Sequence, residues 1–321
     1  MLKPWLELAR ISNLPTAWTN VLAGWLLAGG NLQDPRLLWL LLGGSLLYSG
    51  GMILNDAADA KWDREHRKER PIPRGAVSVG AAWRTGLLAL VLGVAAVSCL
   101  GGANSGLACL LVAAILLYDF CHKSWTGSVI VMGACRTLLY LVAASAVAHP
   151  IFGVTMGSTT LFTLKMNGVV IAPPNPLTWP FRYQFPTGGV LWLSALAIGL
   201  YIVGVTKTAR MESLGAEARV RRAVNQPLLV FVPAIAAALT YSRHHDPRVW
   251  ILIAAFVGMA IHSIRVMHQG GPDIGRAVGI LLAGIAVVDG LAVATVSFPL
   301  ACGFVALAPL LRLWQRWISA T

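Results

Sequence analysis

Long apolar runs repeat along the whole chain, and they dictate its solvent. They fall at about 14–30, 36–56, 81–101, 104–121, 127–148, 188–209, 226–242, 247–267, 274–296 and 298–316. A helix needs roughly 20 apolar residues to cross a bilayer. The in/out alternation of a membrane β-barrel strand is missing from these runs. The fold class is therefore all-α, a polytopic membrane protein with nine or ten transmembrane helices. Composition agrees: 57% of the 321 residues are hydrophobic and 12% are charged. A soluble domain carries about twice that charged fraction.

The net charge of +12 would point to nucleic acid in a soluble protein. In a membrane protein, Lys and Arg gather in cytoplasmic loops instead. Placing the N-terminus inside puts Lys3, Arg10, the basic run 61–74, Lys123, Lys207, Arg210 and Arg219–Arg222 on that side. Only Arg36, Lys165, Arg182, Arg243 and Arg248 then fall outside. The expected location is a bacterial cytoplasmic membrane, with a cytoplasmic N-terminus and no nucleic-acid partner. The five cysteines lie in or beside apolar runs with no CxxC pair, which speaks against a thiolate metal site or a disulfide framework. No segment reads as a cleavable signal peptide.

The chain reads as one transmembrane domain over 1–321. Polar cytoplasmic loops occupy 57–80 and 207–225, and an extracytoplasmic insertion occupies 149–187. Within the insertion, LFTLKMNGVVI reads as a short hairpin with Asn167-Gly168 at its turn.

The first polar loop carries the chemistry. It reads LNDAADAKWDREHRKERPIPRG over 54–75. A helix continuing through it puts Asn55, Asp59 and Asp63 four apart on one face, with Asp56 beside them. Stacked carboxylates repel without a cation, and hard oxygen donors suit Mg²⁺. The arginines and lysine that follow can grip phosphate oxygens. Acids, then bases, beside a membrane suggest a phosphorylated lipid-like ligand. The competing reading is a solvated loop with internally paired charges.

NDAADAKWD followed by RERPIPRG resembles the first aspartate-rich motif of the UbiA superfamily of intramembrane prenyltransferases. RISNLPTAWTNVLAGWLLAG, YDFCHK and GACRTLLY resemble that family's first, fourth and fifth helices. The first 150 residues most resemble its EboC-like branch. The resemblance implies about nine helices around a lipid-open cavity. It implies Mg²⁺-dependent transfer of a prenyl group from an isoprenoid diphosphate to a membrane-associated acceptor. Asn55, Asp56, Asp59 and Asp63 would hold the metal, with the three aspartates at the catalytic centre. Arg70, Arg74 and Lys123 would neutralise the diphosphate. Arg10 and Asn20 are further candidate contacts, and Tyr118 could face a carbocation with its ring.

The pattern departs at the family's second aspartate motif. The matching stretch, YIVGVTKTARMES over 201–213, holds Lys207, Arg210 and Glu212 but no aspartate. Lys207 and Arg210 could replace the second metal. Alternatively the chain is a non-catalytic binder or transporter of a polyprenyl lipid. Two charges lie mid-span. Arg136 is either a ligand contact or half of a structural pair with Asp289. Asp119 reads as a helix-end pair with Lys123.

Overall fold

The computed structural model describes residues 2–148, 164–166, 169–171, 188–210, 227–244, 247–268 and 273–315. The described chain is helical apart from one small hairpin. A short amphipathic segment, α1 (Leu2–Leu8), leads through a 3-10 turn (Ile11–Asn13) into α2 (Leu14–Leu27). Then follow α3 (Arg36–Ala58), α4 (Ala60–His66), α5 (Val79–Ala95), α6 (Ser105–Cys121) and α7 (Ser128–Ala148). The second half holds α8 (Gly188–Arg210), α9 (Pro227–Val230), α10 (Val232–His244), α11 (Val249–His268), α12 (Asp273–Val293) and α13 (Phe298–Trp314).

Six of these helices are long and apolar enough to cross a membrane. α6 and α13 are shorter apolar helices of the same character. The one run at 226–242 is split, with α9 and α10 meeting at Phe231. Ser297 separates α12 from α13, with Pro299 in the first turn of α13, where a missing N–H costs nothing. Strands Leu164–Met166 and Val169–Ile171 pair antiparallel. Their turn and the rest of 149–187 lie outside the described residues, as does 211–226.

Local sequence explains where helices begin. The Ser78 side chain accepts from the Ala81 N–H at the start of α5. Asn104 Oδ1 does the same for the Leu107 N–H at the start of α6, at 3.0 Å. Such caps satisfy donors that an isolated helix end leaves open. α3 and α5 lie against each other through facing glycines. A Cβ added at Gly50 would sit 3.0 Å from Gly86 O, and one at Gly43 would sit 2.9 Å from Gly93 O. Lipid tails are as apolar as leucine, so helices in a bilayer gain by such close backbone approach.

α12 is the most enclosed of the candidate spans and is the hub of the core. Around it the helices leave a cavity of about 230 Å³. Its walls are mostly apolar, with Leu111, Ile115, Met132, Leu139, Ile202 and Leu282 among them. At one end it meets Arg10, Asn55, Tyr118 and Asp119. That end is where α2 begins and where α3, α6 and α8 finish.

Candidate active site

The acidic motif is nearly one helix, as its spacing predicts. Asn55 O accepts the Asp59 N–H at 3.0 Å, and Asp59 O accepts the Asp63 N–H at 2.9 Å. Asp59 is the hinge between α3 and α4. Asp56, Asp59 and Asp63 are all buried.

The carboxylates face basic groups from three other parts of the chain. Arg70 Nη1 reaches Asp56 at 3.1 Å and Asp63 at 2.9 Å. Arg10 approaches Asp56 at 3.4 Å. Its backbone is left-handed, at φ 45 and ψ 51. That conformation costs a non-glycine residue on the order of 1 kcal/mol or more. Here it turns the chain between α1 and α2 so that the guanidinium enters the cavity. Lys123 Nζ lies 2.7 Å from Asp59 Oδ1 and 4.5 Å from the Trp62 ring centre.

His122 completes the Asp59 side. Its Nε2 lies 3.3 Å from Asp59 Oδ2, and its Nδ1 lies 3.2 Å from Tyr118 O. Both ring nitrogens face acceptors, so the protonated ring satisfies both. Burial works to lower the His122 pKa, but Asp59 outweighs it and raises the value. Burial likewise works to raise the Asp59 carboxyl; His122 and Lys123 outweigh it and hold Asp59 below the usual carboxylate range. Asp63 goes the other way. Burial raises it despite Arg70, and Asp59 and Asp56 add to the rise.

Other residues singled out by the sequence sit further away. Arg74 bonds Glu7 at 2.7 Å at the surface. Asn20 is fully buried outside the cavity lining, giving Nδ2 to both oxygens of Asp289 at 2.9 and 2.8 Å. Arg136 lines the cavity and donates to Asn20 Oδ1 at 2.7 Å and to Thr16 O and Oγ1. Arg136 and Asp289 are thus linked through Asn20, not as a direct pair. Lys207 is half-buried and has no hydrogen bond or ion pair among the described residues. Arg210 holds the loop after α6, donating to His122 O, Thr126 O and Ser128 Oγ. Neither Lys207 nor Arg210 lines the cavity; Glu212 lies outside the described residues.

A second hollow, of about 520 Å³, opens on the other side of Asp59. Lys61, Trp62, Trp83, Phe120, His122 and Lys123 line it. Asp119, read from the sequence only as a helix-end pair, lines both hollows. Asp119 does not pair with Lys123. It accepts from Asn55 Nδ2 at 3.2 Å. The only sequence signal was a carboxylate one residue after Tyr118 at the end of an apolar helix.

The UbiA prenyltransferase family profile matches residues 17–273. The chain belongs to the UbiA prenyltransferase family. Among similar curated proteins is the digeranylgeranylglyceryl phosphate synthase of Sulfolobus acidocaldarius, 30% identical over 121 residues, or 38% of this chain and 43% of that one. The synthase of the same name from Methanopyrus kandleri is 29% identical over 185 residues, 57% of this chain and 59% of that one. The chain thus spans about half the length of the curated relatives it matches. Among solved structures, a ligand-free UbiA homologue from Aeropyrum pernix aligns with a TM-score of 0.61 at 16% identity, covering 89% of this chain and 97% of that one. A UbiA homologue from Archaeoglobus fulgidus bound to DMAPP and Mg²⁺ aligns at 0.55 and 13% identity, covering 88% and 98%. These two share the UbiA fold with this chain.

The donor set suits a hard divalent cation. Asn55, Asp56, Asp59 and Asp63 offer oxygens alone, and Asp63 Oδ1 is buried without a partner. Among the described residues no three His, Cys, Asp or Glu converge on one point. The carboxylates face Arg10, Arg70, His122 and Lys123 instead. Such a site fits a cation that arrives with an anion able to draw those basic groups onto itself.

Proposed function

We propose that this UbiA-family protein transfers a prenyl group from an isoprenoid diphosphate to a membrane-associated acceptor, with Mg²⁺ as cofactor. One observation carries the reading. An apolar cavity inside a membrane bundle ends at Arg10, Asn55 and Asp119, beside the buried, cation-paired carboxylates of the acidic motif. A prenyl diphosphate has that same division, an apolar tail and a doubly charged head.

Asn55, Asp56, Asp59 and Asp63 would hold the cation, which supplies neutralisation of the diphosphate as the carbon–oxygen bond breaks. Arg70 and Arg10, released from Asp56 and Asp63, bind phosphate oxygens in fork geometry. Lys123 and the protonated His122 add charge from the α6 side. Tyr118 and Tyr48 line the cavity, where their ring faces can stabilise an allylic cation. The apolar walls exclude water, which would otherwise capture that cation.

The membrane arrangement follows from the same end of the bundle. Gln315 Nε2 donates to Asn13 Oδ1 at 3.3 Å, so α13 finishes on the face where α2 starts. This supports an even number of crossings, ten, in one transmembrane domain. The basic loops share that face, which the positive-inside rule makes cytoplasmic. We take the membrane to be the bacterial cytoplasmic membrane, with 149–187 outside.

A second reading is a polyprenyl-lipid carrier on the same fold. It draws on α8, which ends in Lys207 and Arg210 with no aspartate and sends neither into the cavity. Farnesyl and geranylgeranyl diphosphate binding to protein in nanodiscs, with and without Mg²⁺, tests the site. Mg²⁺-dependent binding that Asp59→Asn weakens by roughly tenfold or more is expected. Equal binding by the variant would remove the cation assignment.

A further inference from the structure

We propose that Asp119 completes the divalent-cation site, supplying from α6 the carboxylate that α8 lacks. The inference rests on the reading of the site as a cation-dependent diphosphate site.

Three observations lead to it. Asp119 is 5% exposed, and its Oδ2 is buried with no hydrogen-bond partner. A buried carboxylate oxygen left unsatisfied carries its full desolvation penalty, so a ligand that completes it is favoured there. Its other oxygen accepts from Asn55 Nδ2 at 3.2 Å, which ties it to a residue of the acidic motif itself. Finally, Asp119 is the only described residue that lines both hollows. The apolar one suits a hydrocarbon tail, and the other, with Lys61, His122 and Lys123, suits a polyanionic head. A cation that bridges head and protein belongs at that junction.

The neighbouring contacts assign α8 a different task. Arg210 clamps His122 O, Thr126 O and Ser128 Oγ. It thereby fixes the segment that follows Asp119. The end of α8 positions the α6 donor and contributes no carboxylate of its own, since 188–210 contains none.

The test uses Mn²⁺ as a paramagnetic stand-in with inorganic pyrophosphate, on full-length protein in nanodiscs. Mn²⁺ affinity is read by electron paramagnetic resonance for wild type, Asp59→Asn and Asp119→Asn, and cation-free melting checks the fold. The expected result is a loss of roughly tenfold or more in both variants. Asp119→Cys gives an independent readout: a thiolate ligand should shift preference from Mn²⁺ toward Cd²⁺ relative to wild type. Wild-type affinity in Asp119→Asn, alongside loss in Asp59→Asn, would overturn the Asp119 assignment and leave the cation site standing. An unshifted Cd²⁺ preference in Asp119→Cys would overturn it equally. No Mn²⁺ binding by wild type would overturn both the assignment and the reading beneath it.

Discussion

Two charged clusters lie within this bundle, and they differ in how far the protein itself satisfies them. The first is mid-membrane. Asp289 is completely buried and accepts from Asn20 twice and from Tyr140 Oη at 2.7 Å. Asn20 passes the contact to Arg136, which also uses Thr16. Three helices, α2, α7 and α12, are tied together this way with no orphaned oxygen. The second cluster lies where α3, α4 and α6 end. It is richer in charge, and Asp63 Oδ1 and Asp119 Oδ2 are buried without partners. A network closed on itself holds helices in register. A network with open valences at the mouth of a cavity awaits something from outside. Buried polar groups are normally satisfied, so the exceptions call for an explanation.

Mutations can break this contrast. Asp289→Ala is expected to act most strongly. It removes the shared acceptor of Asn20 Nδ2 and Tyr140 Oη, and each buried donor left unpaired costs about 1–3 kcal/mol. Melting in nanodiscs should drop steeply, and a near-wild-type melt would erase the structural role. The matching Asp59→Asn melt should fall by less, because the Lys123 that loses its carboxylate is 40% exposed and regains water. Tyr140→Phe removes one of three bonds to Asp289 and should cost about 1 kcal/mol without altering cation affinity. Arg74→Ala is expected to be smallest. Its bridge to Glu7 is exposed, so less than about 1 kcal/mol is at stake. A large loss of diphosphate binding there would extend the site to the surface.

The apolar runs were legible because a bilayer demands long apolar segments; each lies on a helix or helix pair, and six of those helices are long and apolar enough to cross. The acidic motif was legible because four-residue spacing survives even through the hinge at Asp59. Pairing across helices was not. The sequence put Asp119 with Lys123, four residues on, but such a pair is worth only a few tenths of a kcal/mol on a helix. Lys123 reaches the buried Asp59 instead and lies over the Trp62 ring. Of the two readings of Arg136, the direct pair with Asp289 is not what forms: the structure inserts Asn20 between them, while Arg136 does line the cavity. Which residue bridges two distant helices depends on their packing angle, and no local spacing encodes that. Residues 211–226, with Glu212, lie outside the described residues.

The most direct test of the account is release of pyrophosphate from geranylgeranyl diphosphate. Purified protein in lipid would be assayed with and without Mg²⁺, supplied with a membrane-lipid extract and a panel of aromatic acceptors. The account predicts Mg²⁺-dependent release that Asp59→Asn abolishes. Tight, Mg²⁺-dependent binding with no release under any of these conditions would contradict it and make the protein a carrier of prenyl lipids.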